Sequence, residues 1–369
     1  MPHFARFARS LALVTIVVLG AASRASALPA TPSGAGYTVT VFAADNTGGC
    51  TAGNAATPTC YYNVDSLTQD ASYAYAGYQN SAAADGSSGS SIIARYPIGG
   101  GSPIFSPTLT GKNDGLRIDP YTGALWALFN EDANPVLRIL DPSTLAVDYA
   151  SALPTETKFS GGYDDLAFTA SGTFISASNP ALTGSGQNNY RSVDQISFTN
   201  GRPQLMPVLP GQVQATDRST GKRVTVNLTD PDSLALDPSG TTELNDQGDS
   251  TLVFFDKPGS GSPHVSALFL NPAPTTDRNG QTVACPPIVD ETTWTTDTGG
   301  HFLVADHARP GAIYSVSKSG GFAAGTAYAT VAPDNPTLAD SLATLDTTSG
   351  AVTAVVTGFS SPKGLIFVP

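Results

Sequence analysis

Short runs in which apolar and polar residues alternate recur along this chain, and they predict β-strands. Clear examples are Val136–Leu140, Val193–Phe198, Leu252–Phe255 and Ala312–Val316. Each run is followed by a polar turn, which is typical of antiparallel strands joined in a meander. Beyond the N-terminal segment no helical pattern of useful length occurs, which argues against an α/β fold. We therefore predict an all-β protein.

A longer unit repeats around these runs. It consists of an acidic residue, a small residue, an alternating apolar strand, a turn that contains glycine, and a second strand. Copies begin at Asp114, Asp164, Asp232 and Asp290, and a weaker fifth copy begins at Asp340. In the fourth copy the second strand is Phe302–Asp306. The spacing of roughly 50 to 70 residues suits four strands with their loops, which is the size of a propeller blade.

The N-terminal region supplies strands for one more blade. They are Tyr37–Ala43, Ser72–Tyr78, Ser91–Tyr96 and Pro103–Thr108. The C-terminal strand Lys363–Val368 has the blade motif with lysine in place of aspartate, and it can complete that N-terminal blade and remove its open edge. We predict a six-bladed β-propeller, with four-stranded antiparallel blades around a central channel. The count becomes seven if Asp340 begins a separate blade.

The first 27 residues have the organisation of a secretory signal peptide. Basic residues precede an apolar run from Leu11 to Ala22, and the segment ends in the small residues Ala25-Ser26-Ala27. This run is too short to span a bilayer, and no later segment is long and apolar enough to do so. We predict cleavage after Ala27, a single domain over residues 28–369, and export to the periplasm or the extracellular space.

The charge composition narrows the partners. The formal net charge is −12, and only 13% of the residues are charged, against about 25% in typical proteins. A negative surface repels nucleic acid and anionic membranes. We expect a soluble monomer, without a transmembrane segment, that binds a small molecule or a protein and no nucleic acid.

The three cysteines are Cys50, Cys60 and Cys285. In an oxidising compartment we expect the first two to form a disulfide, which leaves Cys285 as a buried free thiol. Neither a CxxC pair nor an HExxH helix is present, so the sequence does not indicate a zinc site.

The repeat also predicts a site. Asp114, Asp164, Asp232 and Asp290 begin equivalent strands, so they should surround one mouth of the channel. Their carboxylate oxygens suit Ca²⁺, which takes six to eight oxygen ligands. The alternative is that each aspartate forms a turn through its own backbone hydrogen bonds. Only Lys363 is at hand to offset the repulsion among the acids.

Three further residues are weaker catalytic candidates. Asp165 and Glu291 adjoin members of the ring, but successive strand residues point to opposite faces, so we expect their side chains to point away from it. His307 follows a strand and could act as a base near neutral pH. Trp126 and Trp294 alternate with small residues, and we expect both to pack in the core.

Several segments resemble the NHL-repeat and regucalcin/gluconolactonase-like six-bladed propellers. They are Asp114-Gly115-Leu116 with Leu125-Trp126, Phe302–Asp306 with Gly311–Tyr314, and Ser361–Leu365. The resemblance covers most of the chain from about Asn113 onward. It implies a divalent cation, usually calcium, held over the channel by Asp, Asn and Glu side chains, and hydrolysis of lactones or esters. Other members only bind proteins or ligands. This chain lacks the Glu-Gly-Pro start of the gluconolactonases, and blade starts such as Asp164-Asp165 replace Asn-Gly.

Two functions follow as hypotheses. The first is an exported propeller that binds a ligand or a protein through one face of its channel. The alternative is a calcium-dependent hydrolase of lactones or esters that acts at the aspartate ring, where the ion polarises the carbonyl and a carboxylate activates water. The fold alone does not distinguish them.

Overall fold

The computed structural model describes residues 31–50, 55–154, 161–256, 262–271, 275–276, 281–283, 287–332 and 340–369. Within these ranges every regular element is a β-strand, and no helix is present that could cross a membrane. The strands form the six four-stranded antiparallel blades of a β-propeller, so the predicted fold class is confirmed. The predicted signal peptide and Cys285 lie outside the described residues.

Blades I to IV follow the order of the chain, each running from the channel outward. Blade I contains Val64–Gln69, Tyr73–Tyr78, Ser90–Pro97 and Ile104–Phe105, and Leu109–Thr110 also pairs with its third strand. Blade II contains Asn113–Ile118, Leu125–Phe129, Val136–Leu140 and Val147–Ala152. Blade III contains Leu166–Thr169, Gly172–Ser176, Arg191–Thr199 and Arg202–Pro210. Blade IV contains Pro231–Leu236, Thr242–Asp246, Thr251–Asp256 and His264–Phe269.

Two small additions lie outside this plan. The hairpin of Gln212–Asp217 and Arg223–Asn227 extends blade IV, because its first strand pairs in parallel with His264–Phe269. A separate two-stranded ribbon joins Thr275–Thr276 to Thr282–Val283.

Blades V and VI exchange strands along the chain. Blade V contains Val289–Trp294, Ala327–Val331, Asp340–Leu345 and Val352–Phe359. Blade VI contains Pro362–Val368, His301–Asp306, Ala312–Lys318 and Tyr37–Ala44. After its first strand in blade V, the chain therefore forms two strands of blade VI before it returns to complete blade V.

This exchange corrects four of the predicted assignments. The C-terminal strand Pro362–Val368 completes blade VI and not the N-terminal blade, blade I. Asp340 begins the third strand of blade V and not a blade of its own, so the count is six. Phe302–Asp306 pairs with the C-terminal strand and not with the strand that begins near Asp290. Tyr37–Ala44 is the outermost strand of blade VI, where it pairs with Ala312–Lys318, and it does not belong to blade I. Local alternation marked the strands correctly, but pairing is decided by contacts between distant segments.

The six innermost strands contact one another in sequence around the channel, and the last, Pro362–Val368, contacts both its neighbours and thereby closes the ring. Because blade VI combines the first and last strands of the described chain, closure joins the two ends. Apolar side chains from adjacent blades fill the spaces between the sheets. Between blades VI and I, for example, Leu303 and Ile313 pack in one cluster with Leu67 and Ile92.

A turn that begins with aspartate recurs between strands. In Asp119–Gly123, Asp217–Gly221 and Asp346–Gly350 the carboxylate accepts the backbone N–H two residues later, at 2.8 to 2.9 Å. Each turn ends in a glycine with φ between 69° and 76°, a conformation that side chains disfavour. Serine and threonine donors lower the pKa values of Asp217 and Asp346. These are the aspartates whose role in the structure is to form turns.

Outside the blades, Cys50 and Cys60 form a disulfide with a Cα–Cα distance of 4.7 Å, which confirms the predicted pair. Trp126 is buried between blades II and III and contacts Phe168 edge-on, with 5.2 Å between ring centroids. Trp294 is buried as well, in the cluster between blades IV and V, and it also faces the channel, as described below.

Candidate functional site

The innermost strands begin with a shared irregularity. In blade II, Asn113 pairs with Phe129 and Leu116 pairs with Ala127, so one extra residue lies on the inner strand. This is a β-bulge, and it contains Asp114-Gly115. The same bulge contains Asp65-Ser66, Asp232-Ser233, Asp290-Glu291 and Lys363-Gly364 in blades I, IV, V and VI.

The bulge overturns one expectation from the sequence. Regular alternation predicted that Asp165 and Glu291 point away from the aspartate ring. Both instead line the same pocket as the aspartates that precede them, Asp164 and Asp290. At Glu291 the cause is the bulge, which leaves two successive residues opposite a single residue of the partner strand. Asp165 lies just before the regular pairing of its strand, which begins at Leu166.

The structure places all four aspartates of the predicted ring in one pocket at a mouth of the channel. The pocket encloses about 630 Å³, including its open part. Eight acidic residues and two lysines line it. They are Asp65, Asp114, Glu131, Asp164, Asp165, Asp232, Asp290 and Glu291, with Lys112 and Lys363. We call this the acidic pocket.

Four lining residues with charged or amide side chains were missing from the predicted site. Asp65 is the ring member of blade I, and its segment Asp65-Ser66-Leu67 repeats Asp232-Ser233-Leu234, so the sequence held a signal for it. Lys112 and Glu131 lie just before an innermost strand and just after a second strand, at positions that carry no repeated residue type. Gln79 likewise follows a second strand.

The lysines and glutamines hold several of the carboxylates. Lys112 forms ion pairs with Asp114, at 3.0 Å, and with Glu131. Lys363 pairs with Asp290 at 2.5 Å, as the sequence suggested. Two glutamines complete this layer. Gln79 donates to Asp114 at 3.0 Å, and Gln247 donates to Asp232 at 2.6 Å and to Asp290 at 3.0 Å.

The pKa values of the acidic side chains reflect the negative charge that the two lysines do not offset. Burial raises the pKa of Asp164 to about 8 and that of Asp232 well above its ordinary value, and the neighbouring carboxylates add to both shifts. Burial and the repulsion between these two carboxylates therefore favour retention of a proton by the pair near neutral pH. Burial likewise raises the pKa of Asp114, which Glu131 reinforces. These three ring aspartates thus differ from the turn-forming Asp217 and Asp346, whose pKa values are lowered.

His307 lies at the edge of the acidic pocket. Its Nδ1 atom is 3.4 Å from Oδ1 of Asp65. Although burial opposes ionisation of Asp65, the hydrogen bond from His307 and the charge of Lys363 lower the pKa of that carboxyl. Among the five ring aspartates, Asp65 is the one whose pKa is lowered.

The floor of the acidic pocket is an ion-paired triad that spans the channel. Arg117 Nη2 donates to Asp165 Oδ2 at 2.6 Å and to Glu291 Oε1 at 2.7 Å. The same guanidinium donates to the carbonyl oxygens of Leu67, Leu116 and Leu234 at 3.0 to 3.2 Å. Arg117 thus joins blade II to blades I, III, IV and V, and two of the three weaker catalytic candidates are its partners.

The oxygen atoms of the acidic side chains suit a metal ion, but the arrangement of these side chains does not favour one. All the acidic side chains offer hard oxygen ligands, and Oδ1 of the buried Asp165 accepts no hydrogen bond. Nevertheless, among the residues that the structure describes, no three acidic, histidine or cysteine side chains form a group compact enough to hold a metal ion. The lysines occupy oxygens that an ion would need, so calcium at this ring remains a prediction.

Comparisons with known proteins concern the fold. No family model matches the chain, and no curated protein matches it in sequence. Among solved structures, it is similar to the periplasmic gluconolactonase of Pseudomonas aeruginosa, with 12% identity and a TM-score of 0.49, over 90% of this chain and 99% of that one. It is also similar to a Bacteroides caccae protein of unknown function, with 11% identity and a TM-score of 0.43, over 82% and 85% of the two chains. At such identities the similarity concerns the fold alone.

Proposed function

We propose that this protein is exported and binds a positively charged ligand in the acidic pocket, with Ca²⁺ as the first candidate. One observation supports this: eight acidic residues and only two lysines line a single pocket. Carboxylates that lack a counter-charge retain protons, as the raised pKa values of Asp164 and Asp232 indicate. A cation would replace those protons and satisfy the same oxygens.

This proposal predicts the pH dependence of binding. Because the folded-state pKa values are raised, protons compete with the cation at low pH and leave as the pH rises through about 8. Affinity should therefore increase with pH. Binding to the folded state alone raises stability by RT ln(1 + [L]/Kd), about 2.7 kcal/mol at a hundred times Kd.

The test measures the melting temperature with CaCl₂ and, in parallel, with 1,4-diaminobutane as an organic dication. Asp232→Asn should remove the ligand-induced increase. Asp148→Asn, which removes an exposed charge on the outer strand of blade II, is the matched control and should retain the full increase. If the amine alone acts, calcium is wrong and the cation site stands. If neither ligand acts, the proposal is refuted.

A second function is supported by Asp232 and Asp164, which line the same pocket and whose pKa values are both raised. A carboxyl pair that shares a proton can act as acid and base in hydrolysis. Asp232 would donate its proton to the carbonyl oxygen of a lactone or ester, while Asp164 takes a proton from water. The water oxygen then bonds to the carbonyl carbon and the ester C–O bond breaks. The leaving oxygen takes up the proton held by Asp164, and the former carbonyl oxygen returns its proton to Asp232. A bound calcium would supply Lewis-acid polarisation of the carbonyl.

The hydrolase hypothesis is tested with a panel of aliphatic lactones and aryl acetates. We expect turnover that falls about a hundredfold or more in Asp164→Asn, since loss of a general acid or base costs 10²–10⁴. The Asp148→Asn control should keep its rate. Absence of turnover across the panel, or equal rates in both variants, contradicts this function and leaves the binding proposal in place.

A further inference from the structure

The channel has a second pocket on the other side of Arg117. It encloses about 770 Å³, including its open part, and lies at the ends of the innermost strands, opposite the acidic pocket. We call it the apolar mouth. Its size is within the range of about 300–1,000 Å³ that is typical of small-molecule sites.

The walls of the apolar mouth come from the same repeat that forms the aspartate ring. Four residues beyond each predicted ring aspartate, the innermost strand carries a large apolar side chain. These side chains are Ile118, Phe168, Leu236 and Trp294. The equivalent residue of blade I is Gln69, and Thr68 and Thr293 add hydroxyl groups. The repeat therefore builds two mouths of opposite character, one from acids and one from apolar side chains.

The floor of the apolar mouth offers no free charge. Arg117 forms five hydrogen bonds, two of them to Asp165 and Glu291. An anionic ligand would approach these two carboxyl groups, and a cationic ligand would approach the guanidinium. Neither would find a free counter-charge unless it separated a buried ion pair. A neutral ligand meets neither penalty.

We propose that the apolar mouth binds a neutral small molecule with an apolar, ring-sized body and one or two hydrogen-bonding groups. The apolar walls favour the body, and the hydroxyl and amide groups at Thr68, Thr293 and Gln69 are placed to meet its polar groups. Leu236 is 39% exposed, so a ligand would remove apolar surface from water. The site is independent of the cation site, because the triad separates the two pockets.

The test uses two fluorescent probes that differ in charge. N-phenyl-1-naphthylamine is neutral, and 8-anilinonaphthalene-1-sulfonate is a similar molecule with one negative charge. The neutral probe should bind saturably with one site per chain. The anionic probe should bind at least about tenfold more weakly, a difference of about 1.4 kcal/mol.

Two variants locate the site. Leu236→Glu places a charge at the apolar mouth and should weaken binding of the neutral probe at least tenfold. Phe269→Glu changes an apolar residue of similar exposure, 41%, on the outer strand of the same blade, and should leave the affinity unchanged. Asp232→Asn should also leave it unchanged, which separates this proposal from the cation site.

Several outcomes overturn the proposal. They are an unsaturable signal, equal weakening by Leu236→Glu and Phe269→Glu, and binding of the anionic probe as tight as that of the neutral one. Sedimentation velocity tests the remaining alternative, that a second copy of the chain occupies the apolar mouth. A dimer that dissociates in Leu236→Glu would show that a second copy of the chain covers the mouth instead.

Discussion

Replacement of Arg117 by methionine tests the triad that divides the channel. Methionine keeps much of the apolar stem and removes the guanidinium, so Asp165 and Glu291 lose their shared buried cation. Removing one partner of a buried ion pair costs about 3–5 kcal/mol, because the remaining charge has no compensation. We expect that loss of unfolding free energy at about pH 8.

The loss of unfolding free energy in Arg117→Met should be smaller at low pH. Burial raises the pKa values of Asp165 and Glu291 even with Arg117 present, and without it they rise further. The folded variant then binds protons that the unfolded chain does not, so its stability falls as the pH rises through the folded-state values. Below them both groups are neutral, and only the hydrogen bonds to three carbonyl oxygens are missing. The cost there should be about 1–3 kcal/mol.

Urea unfolding followed by tryptophan fluorescence at about pH 5 and pH 8 measures this difference. Arg138→Met is the matched control. Arg138 also lies in blade II, stacks 3.9 Å from the centroid of Phe129, and donates to the carbonyl of Thr110 without a carboxylate partner. The loss of unfolding free energy in Arg138→Met should not depend on pH. The triple variant Arg117→Met/Asp165→Asn/Glu291→Gln should recover most of the stability at pH 8. A pH-independent loss in Arg117→Met, or no recovery in the triple variant, refutes the reasoning.

Four other outcomes are expected, and they concern Glu243, the disulfide, the signal peptide and Cys285. Glu243 is buried, accepts a hydrogen bond from Thr292, and has its pKa raised by burial to about 7. Wild-type stability should therefore fall as the pH rises from about 4.5 through 7, and Glu243→Gln should be about 1–3 kcal/mol more stable at pH 8 but equal at pH 4 in urea titrations. Cys60→Ala should lower the unfolding free energy by about 2–3 kcal/mol, a difference that disappears when both proteins are measured in reductant. Intact-mass analysis of the secreted protein should show cleavage after Ala27, and peptide mapping should show a free thiol at Cys285.

The position of the acidic pocket was predictable because a propeller copies one strand motif around an axis. A residue type that recurs at the start of each innermost strand must recur around one mouth, so the aspartates could be placed together without coordinates. Asp65 is not among the predicted residues, because the N-terminal prediction has no strand between Ala43 and Ser72. The lysine in the sixth copy, Lys363, was identified, although its blade was not.

Other features of the site depend on contacts between residues that lie far apart in the sequence. Arg117 contacts Asp165 and Glu291, which lie 48 and 174 residues further along the chain. No local pattern indicates that an arginine would cross the channel. Lys112 and Glu131 face the ring from two loops of blade II, where no residue type repeats. Such contacts arise only when the ring closes and brings the innermost strands around a common axis.

The sequence by itself determined the all-β class, the blade-sized repeat, the Cys50–Cys60 pair and the aspartates that share a mouth. Alternation and turn residues are local, and a repeat transfers that local information to each blade. Tertiary structure decided which strands pair, and it interleaved blades V and VI because their strands are locally alike and differ only in distant partners. It also decided that Asp165 and Glu291 face the channel, and at Glu291 the reason is a one-residue bulge that shifts the alternation.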